Sequence, residues 1–464
     1  MLARARSKLL LFLLSFLVLT AAILKQPDRG LMEFDQPFYV TIAYDLDRSR
    51  TFSNGIFVDI DSTTAAPRPG MFFGPVYPLL VLAVMKADPR FAEAVRCSVE
   101  ADRGHRDPAG CEPYATPIRI LHGLLLALGV LAIAWAAQVL FASRTVFWLS
   151  GALATGALFA EADTFSFIMT ESISFSLYCL FALALVRAWK APRLSFYLAA
   201  GALLGFLCLT RLSFLLLFPL AVVLSLLQGF WLSKPRQTAT GRNLLGMTLA
   251  LAAMLGAWAV RNDVSVGKLG LTEEYGSAVL IERLAYNDMT AHEWLLAFPY
   301  CLPVLGDYAF DKTYGTDSMH RFVFHTPGSF FHVGRDRRDA LIKEHGRLDP
   351  LIGAIAREEL GRDWWRHLAV SVPLAWCGLW PGWAVSLFIL PLFGVACVRA
   401  LRQSQPMFLM YAAPPFAMLG LHALLANHYT RYNIDLVAPF AVGAAWIIAE
   451  WLSKRDLRLT DAPA

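Results

Sequence analysis

Long apolar runs recur along this chain and restrict what it can fold into. Each run is about 16 to 25 residues long, the length that an α-helix needs to cross a bilayer. Of the 464 residues, 57% are hydrophobic and only 17% are charged, which leaves too few polar residues to cover a soluble protein of this length. The sequence therefore predicts an all-α polytopic membrane protein.

We predict about ten transmembrane helices from these runs. The first run follows basic residues and is typical of an uncleaved signal anchor, with a cleavable signal peptide as the alternative. A shorter run, 76–86, is predicted to form a re-entrant or interfacial helix. The predicted spans are 9–24, 117–141, 145–160, 165–187, 194–210, 212–231, 244–260, 381–400, 406–426 and 433–452.

Charges in the connections indicate how the spans are oriented. Basic residues cluster in alternate loops, and the positive-inside rule assigns those loops and both termini to the cytoplasm. The net charge of +5 is explained by these loops and does not indicate nucleic-acid binding. Two long polar regions, 25–116 and 261–366, then lie on the outer face, the first with interfacial helices.

The seven cysteines lack a metal-binding C-x-x-C spacing. Cys97 and Cys111 lie in one polar loop, where they are either two free thiols or, in an oxidising compartment, a disulfide. Cys179, Cys208 and Cys397 fall inside apolar runs and are expected to act as small hydrophobic residues.

Asp35 follows the first apolar run, in the stretch FDQPFYV. An aspartate followed by proline is a good helix start, so Asp35 is a candidate N-cap. A capping role is the one that these residues alone favour, and a general base is the alternative for a carboxylate at the membrane surface. Tyr39, which shares one face of the predicted helix with Ala43 and Leu46, is a further candidate site residue.

Four arginines lie on the predicted outer side, and three of them, at the outer ends of spans, run against the positive-inside trend. Each by itself is consistent with a surface or snorkelling side chain. Together they indicate an anion held at the outer leaflet, where lipid phosphate is the natural ligand. These candidate phosphate ligands are Arg68, Arg211, Arg261 and Arg431.

Glu171 lies early in an apolar span and needs a partner or a watery cavity. Pairing with one of those arginines and contact with a substrate are both consistent with its position. Acidic pairs and histidines in the outer regions match metal-binding patterns only over a few residues. A position on a solvated surface is therefore favoured over a metal site. They are Asp45/Asp47, Asp59/Asp61, His320, His325 and His332.

Several motifs occur in a fixed order relative to the predicted spans. They are FDQPFYVTIAYDL, RPGMFFGPVYPLL, MTESISFSLY, LTRLSF, WAVRND and RYNIDL. In this order they resemble membrane glycosyltransferases of the GT-C superfamily, and most of all bacterial members of glycosyltransferase family 39. These are relatives of protein O-mannosyltransferases and lipid A aminoarabinose transferases. The resemblance extends from about residue 9 to 452.

The resemblance implies an inverting hexosyl or pentosyl transferase that uses a polyprenyl-phosphate sugar. The implied acceptor is a cell-envelope lipid or glycan, at the periplasmic face of a bacterial inner membrane. Asp35 stands where the family has its catalytic carboxylate, and Arg68 where the aminoarabinose transferases have a basic residue implicated in binding the carrier phosphate. Gln36 replaces a glutamate of the protein mannosyltransferases, which argues against activity on protein.

The implied partners are the donor, the acceptor and membrane lipids, without nucleic acid. No cofactor is required, and a divalent metal has no support from the residues. A transporter or flippase of a lipid-linked saccharide is the main alternative, although Glu171 is the only clear charge that we find inside a span. A non-catalytic envelope-assembly subunit is a further alternative, in which Asp35 is only a helix cap.

Overall fold

The computed structural model describes residues 2–56, 67–230, 234–324, 326–427 and 429–460. Within these ranges the chain forms nineteen α-helices, short 3₁₀ segments and no strand. The helices are α1 (Leu2–Leu24), α2 (Gln36–Ser49), α3 (Val76–Ala87), α4 (Pro89–Asp102), α5 (Thr116–Phe141), α6 (Arg144–Ala160), α7 (Ala162–Ser166), α8 (Glu171–Lys190), α9 (Leu194–Thr210), α10 (Leu217–Phe230), α11 (Lys234–Val266), α12 (Tyr275–Leu284), α13 (Ala291–Tyr300), α14 (Leu305–Tyr314), α15 (Phe330–His345), α16 (Asp349–Gly378), α17 (Ala384–Arg402), α18 (Pro406–Leu425) and α19 (Val437–Thr460).

Eight helical segments of the described chain are long and apolar enough to cross a bilayer, which confirms the predicted class. Two more of the predicted spans correspond to α6 and α9, each 17 residues long, the lower end of the crossing range. The eight segments are Arg6–Leu24, Thr116–Phe141, Glu171–Lys190, Leu212–Gly229, Thr240–Val266, Ala384–Arg402, Pro406–Leu425 and Thr430–Lys454.

The predicted span 165–187 differs from the structure at its start. The chain forms the short helix α7, leaves helical conformation after Ser166, and begins α8 only at Glu171. The amide of Ile168 donates to the side chain of Gln36 rather than to a helical carbonyl. A tertiary hydrogen bond thus replaces the helical one and breaks the apolar run into two helices.

The first outer region folds into α2, α3 and α4. Pro37 in the first turn of α2 and Pro89 in that of α4 have the fixed backbone angle that a helix start requires. The Asp88 carboxylate caps α4 by accepting from the amide of Phe91 at 2.9 Å. Buried side chains that include Val40 and Val81 then join these helices in one apolar cluster.

The chain divides into two compact units. The first comprises Met1–Leu271, Ile389–Pro414 and Val437–Ala464, and the second comprises Thr272–Phe388 and Pro415–Leu436. In the first unit, α5 packs against α1, α6 and α8, while α9 packs against α8 and α11. In the second unit, α12 packs against α15 and α13 against α16.

Close approach between helices depends on glycine. A Cβ added to Gly201 of α9 would lie 2.2 Å from the carbonyl oxygen of Met247 on α11. A Cβ on Gly129 of α5 would lie 2.7 Å from the ring of Phe175 on α8. Because lipid gives apolar helices little reason to associate, such close backbone packing is a main source of stability in a membrane bundle.

We expect Gly201→Ala to destabilise the protein because the new methyl group collides with backbone. Overpacking of this kind costs about 1–3 kcal/mol. The matched control is Gly256→Ala in α11, where a Cβ meets nothing within 4 Å. Thermal unfolding in detergent should show a lower midpoint for the first variant only. Equal midpoints for the two variants would contradict the observed α9–α11 packing.

Candidate functional site

Asp35 lies directly before α2, and the residue ahead of it has an unusual backbone conformation. Phe34 has a φ of 55°, in the left-handed region that a bulky residue rarely adopts. Asp35 occupies the N-cap position, but its half-buried carboxylate makes no capping hydrogen bond. The side chain therefore does not have the capping role that local rules predict, although it stands at the positive end of the helix dipole.

Gln36 joins the start of α2 to the segment that leads into α8. Its buried amide donates to the carbonyl oxygens of Gly30 at 3.0 Å and Glu33 at 3.3 Å. Its Oε1 accepts from the amide of Ile168 at 2.9 Å. An ionised glutamate could accept but not donate. An amide at position 36 is therefore what this junction requires.

Arg119, in the first turn of α5, holds two segments at once. Its Nε donates to the carbonyl oxygen of Ser166 at 3.1 Å. Its two terminal nitrogens donate to three oxygen atoms of residues 26–28, at 2.8 to 3.2 Å. One buried guanidinium thus ties the segment before Asp35 to the segment before Glu171.

His122, one turn further along α5, extends this network. Its Nδ1 lies 2.9 Å from the carbonyl oxygen of Phe165, and its Nε2 lies 2.9 Å from the hydroxyl of Tyr77. Since a carbonyl can only accept, Nδ1 carries the proton and Tyr77 donates to Nε2. The Tyr77 ring meets the edge of Tyr39 at 5.0 Å, one turn along α2 from Asp35.

Arg119 and His122 are absent from the predicted site, in which Glu171 is the only clear charge inside a span. Both residues fall within the predicted span 117–141. Polar residues at membrane depth are expensive and need partners. Their position in an apolar run was thus a usable signal, but the partners come from distant segments that the sequence does not identify.

The segment 67–75, which carries Arg68, is held by its glycines. The amide of Gly70 donates to the carbonyl oxygen of Phe52 at 2.8 Å, and a Cβ at Gly70 would lie 2.1 Å from Oδ1 of Asn54. The same Oδ1 accepts from the amide of Phe72 at 2.9 Å. Arg68 itself is exposed, and within the described ranges it has no ion-pair partner.

Arg261 fixes this loop from α11. Its Nη1 donates to the carbonyl oxygen of Gly70 at 2.6 Å, and its Nη2 donates to that of Phe52 at 3.1 Å. The guanidinium also lies over the rings of Phe52 and Trp258, 5.2 and 4.8 Å from their centroids. These contacts make Arg261 an anchor of the segment that carries Arg68.

The same loop reaches the end of α9. A Cβ at Gly74 would lie 2.0 Å from the carbonyl oxygen of Leu209, so only glycine fits there. Shortly after Leu209, Nη1 of Arg211 lies 3.8 Å from Oε1 of Glu171, the first residue of α8. Both side chains are mostly buried, at 14% and 5% exposed.

Most of the predicted site residues thus belong to one set of contacts in the first unit. Arg431 lies in the second unit, with its guanidinium 4.9 Å from the ring of Tyr429 and 5.3 Å from that of Tyr432. The predicted residues in or beside the first unit's set are Asp35, Tyr39, Arg68, Glu171, Arg211 and Arg261.

Asp45 and Asp47 are not a solvated pair, because both bind cations. Asp45 is buried and accepts two hydrogen bonds from Arg103, at 2.9 and 3.1 Å. Asp47 pairs with Lys86 and, at 2.9 Å, with Arg96. Residues two apart on a helix do not share a face, so the pair cannot chelate one ion.

The remaining metal candidates are only partly described. Asp59, Asp61 and His325 lie outside the described residues. His320 is exposed and His332 is half-buried. Across the part of the chain that the structure describes, no three His, Cys, Asp or Glu side chains are placed to hold a metal ion.

The structure contains two disulfides. Cys97 in the second half of α4 is bonded to Cys111, which decides the question that the sequence left open. Cys301 is bonded to Cys377, a pair that was not predicted. The cysteines without a disulfide are Cys179, Cys208 and Cys397.

Two solved structures have a similar fold. One is the archaeal oligosaccharyltransferase AglB from Archaeoglobus fulgidus, in complex with an inhibitory peptide and a dolichol-phosphate. It matches with a TM-score of 0.51 and 11% identity, over 99% of this chain and 52% of that chain. The apo form of the Archaeoglobus fulgidus oligosaccharyltransferase matches with a TM-score of 0.51 and 12% identity, over 98% of this chain and 51% of that chain.

These matches show that the chain has the GT-C fold, as the resemblance implied. The chain spans about half the length of these neighbours, and at such identities the likeness concerns the fold. No protein-family model matches the sequence, and no curated protein matches it either.

The contributions of the Asp45 and Asp47 carboxylates to folding stability should change with pH in opposite directions. Burial raises the pKa of Asp45, whereas the hydrogen bond from Lys86 lowers the pKa of Asp47. A raised folded-state pKa means that ionisation destabilises the native state as the pH rises above about 3.9, and a lowered pKa means the reverse. Asp45→Asn should therefore cost less stability at pH 7 than at pH 3.

The matched variant Asp47→Asn should cost more at pH 7 than at pH 3. Unfolding midpoints in detergent, measured for both variants and wild type across that range, test the pair. If the stability cost of the two variants changed in the same direction between pH 3 and pH 7, the two carboxylates would not differ in environment as the structure describes.

Proposed function

We propose that this chain is an inverting glycosyltransferase that moves a hexosyl or pentosyl unit from a polyprenyl-phosphate carrier to a cell-envelope lipid or glycan. The observation that carries the proposal is the connection between Asp35 and an arginine-bearing loop at one end of a GT-C helix bundle. Gln36, next to Asp35, links the start of α2 to the segment before Glu171. Glu171 pairs with Arg211, which follows Leu209. Gly74 of the loop that carries Arg68 packs against the carbonyl oxygen of Leu209.

Asp35 serves as the general base in this scheme. Its carboxylate takes the proton from an acceptor hydroxyl while that oxygen attacks the anomeric carbon of the donor sugar. The bond between the anomeric carbon and the phosphate oxygen breaks, and the phosphate leaves with the electron pair. Attack opposite the leaving group inverts the anomeric centre. General-base assistance of this kind typically contributes about 10²–10⁴-fold in rate.

Arg68 is the first candidate for the carrier phosphate. Its side chain is exposed and has no ion-pair partner within the described ranges, so its five N–H donors are available to a bound anion. The AglB neighbour was solved with a dolichol-phosphate, and this analogy of fold supports a lipid phosphate as the carrier here. A guanidinium neutralises the charge that develops on a leaving phosphate.

The other arginines take different parts in the scheme. Arg261 acts as a positioning residue, because its donors already hold the carbonyl oxygens of Gly70 and Phe52. Arg211, oriented by Glu171, is a second phosphate ligand. Arg431 is retained as a phosphate ligand on its sequence position alone. Since guanidinium groups can stabilise a monophosphate leaving group, the scheme requires no metal.

We assign the reaction to the periplasmic face of a bacterial inner membrane, with both termini in the cytoplasm. The two disulfides lie in or next to the polar regions predicted to face outward, 25–116 and 261–366. Disulfides persist in oxidising compartments such as the periplasm. The cysteines without a disulfide lie in α8, α9 and α17, away from those regions.

We further propose that the acceptor is not a protein. The protein mannosyltransferases carry a glutamate directly after the catalytic aspartate. Here the equivalent Gln36 is buried, and it uses its amide nitrogen on two backbone carbonyls and its oxygen on a backbone amide. A carboxylate at this position would face those carbonyls instead, so the site is built around the neutral side chain.

We expect Asp35→Asn to lower sugar transfer by about 10²–10⁴-fold, because the amide cannot accept the proton. The purified full chain would be supplied with radiolabelled polyprenyl-phosphate hexoses and pentoses and a cell-envelope lipid extract. Glu33→Gln is the matched control, since Glu33 is exposed and a glutamine can still accept from the amide of Gly30. Thermal unfolding reports whether each variant folds.

Transfer by a folded Asp35→Asn protein at the wild-type rate would exclude Asp35 as the base. Absence of transfer by the wild type, together with movement of the lipid-linked sugar across vesicles, would instead favour a transporter.

We expect Arg68→Ala to raise the apparent KM for the donor about tenfold or more, because one charge-assisted contact to phosphate is lost. The apparent KM for the acceptor should not change. Arg106→Ala is the control, as it removes an exposed arginine that pairs with exposed Glu93. An unchanged donor KM in Arg68→Ala would remove Arg68 from the phosphate site.

A further inference from the structure

Trp135 of α5 lies between two cations that come from different helices. The ammonium nitrogen of Lys8 on α1 is 3.4 Å from the centroid of the indole ring. The guanidinium carbon of Arg187 on α8 is 4.4 Å from the same ring. Each contact is a favourable cation–π interaction. However, the shared ring also keeps two positive charges close together.

All three residues lie at the same end of the first unit's helices, opposite to Asp35. Lys8 is in the first turns of α1, whereas Trp135 and Arg187 are close to the last turns of α5 and α8. This is the depth at which tryptophan and snorkelling cations mark the boundary between hydrocarbon and headgroups. The cations therefore stand at the level of lipid phosphate.

Arg187 is held in place before any ligand binds. Besides Trp135, its guanidinium lies 5.1 Å from the ring of Phe196 at the start of α9. The neighbouring Lys190 donates to the carbonyl oxygen of Val139 at 2.7 Å. A charge fixed between two aromatic rings loses little freedom when an anion arrives, which favours tight binding.

The surrounding sequence is positive. Helices α1, α5 and α9 contain no aspartate or glutamate, and the one acidic residue of α8, Glu171, is at its other end. Arg144 adds a further cation at this end, where its Nη2 donates to the hydroxyl of Ser7 at 3.3 Å. An anion at this end of the bundle is therefore electrostatically favoured.

An apolar surface lies next to these charges. Directly after Lys8, the leucines on one side of α1 are exposed. Charged groups that adjoin an exposed apolar helix face match a phospholipid, which has an anionic headgroup and acyl chains, better than a soluble anion. The exposed leucines are Leu9, Leu10, Leu13, Leu14 and Leu17.

We propose that Lys8, Trp135 and Arg187 form a binding site for the headgroup phosphate of an anionic phospholipid. The site lies in the leaflet where α1 begins, which is the cytoplasmic leaflet in the orientation assigned above. It uses none of the residues proposed for sugar transfer, so either assignment stands if the other fails.

Native mass spectrometry of the full chain in neutral detergent tests the site. Dioleoylphosphatidylglycerol and dioleoylphosphatidylcholine would be titrated separately, and inorganic phosphate would be added as a competitor. Arg187→Gln and Lys8→Gln should each weaken phosphatidylglycerol binding about fivefold, the usual contribution of one cation near an anionic surface. Arg402→Gln, an exposed cation at the end of α17, should leave binding unchanged.

Arg187→Lys, which retains the charge, should keep most of the affinity. Thermal unfolding without lipid reports whether each variant folds. If Arg187→Gln does not fold, Lys8→Gln provides the test. Equal binding of the two lipids by wild type would overturn the proposal. So would full displacement by inorganic phosphate, or a loss in Arg402→Gln as large as that in Arg187→Gln.

Discussion

The guanidinium of Arg119 is the contact on which the arrangement of the candidate site depends. Buried near the start of α5, it donates to Ser166 and to residues 26–28, and so holds the two segments that precede Asp35 and Glu171. Removing it would leave the buried carbonyl of Ser166 without this donor, at a cost of about 1–3 kcal/mol. Gln36 makes a second hydrogen-bonded connection between these two parts of the chain, nearer to Asp35 and Glu171.

Arginines that look alike in the sequence are separated by their partners in the fold. Arg261 is directed toward the backbone of the loop 67–75, Arg211 toward Glu171, and Arg68 toward solvent. A guanidinium whose donors are already used exchanges them for a ligand at a cost, whereas an exposed one does not. The proposed roles of Arg261 as a positioning residue and of Arg68 as the first phosphate ligand follow from that difference.

Much of the fold and part of the site could be predicted from residues near one another in the chain. Runs of apolar residues located the membrane helices, because the length of a helix that spans a bilayer is set by bilayer thickness. Asp35 could be placed at a helix start because Pro37 follows it. The disulfide Cys301–Cys377 and the network of Arg119 could not, because their partners are separated by 47 residues or more.

The sequence by itself determined the all-α membrane class, the approximate spans and the candidate carboxylate, since each depends on local composition and spacing. Only the tertiary structure decided that the Asp35 side chain does not cap α2, that α8 begins at Glu171, and that Arg261 anchors the loop carrying Arg68. It also brought Lys8 and Arg187 to one indole ring. Such contacts depend on how helices pack side by side, and helix packing is not contained in any single run of residues.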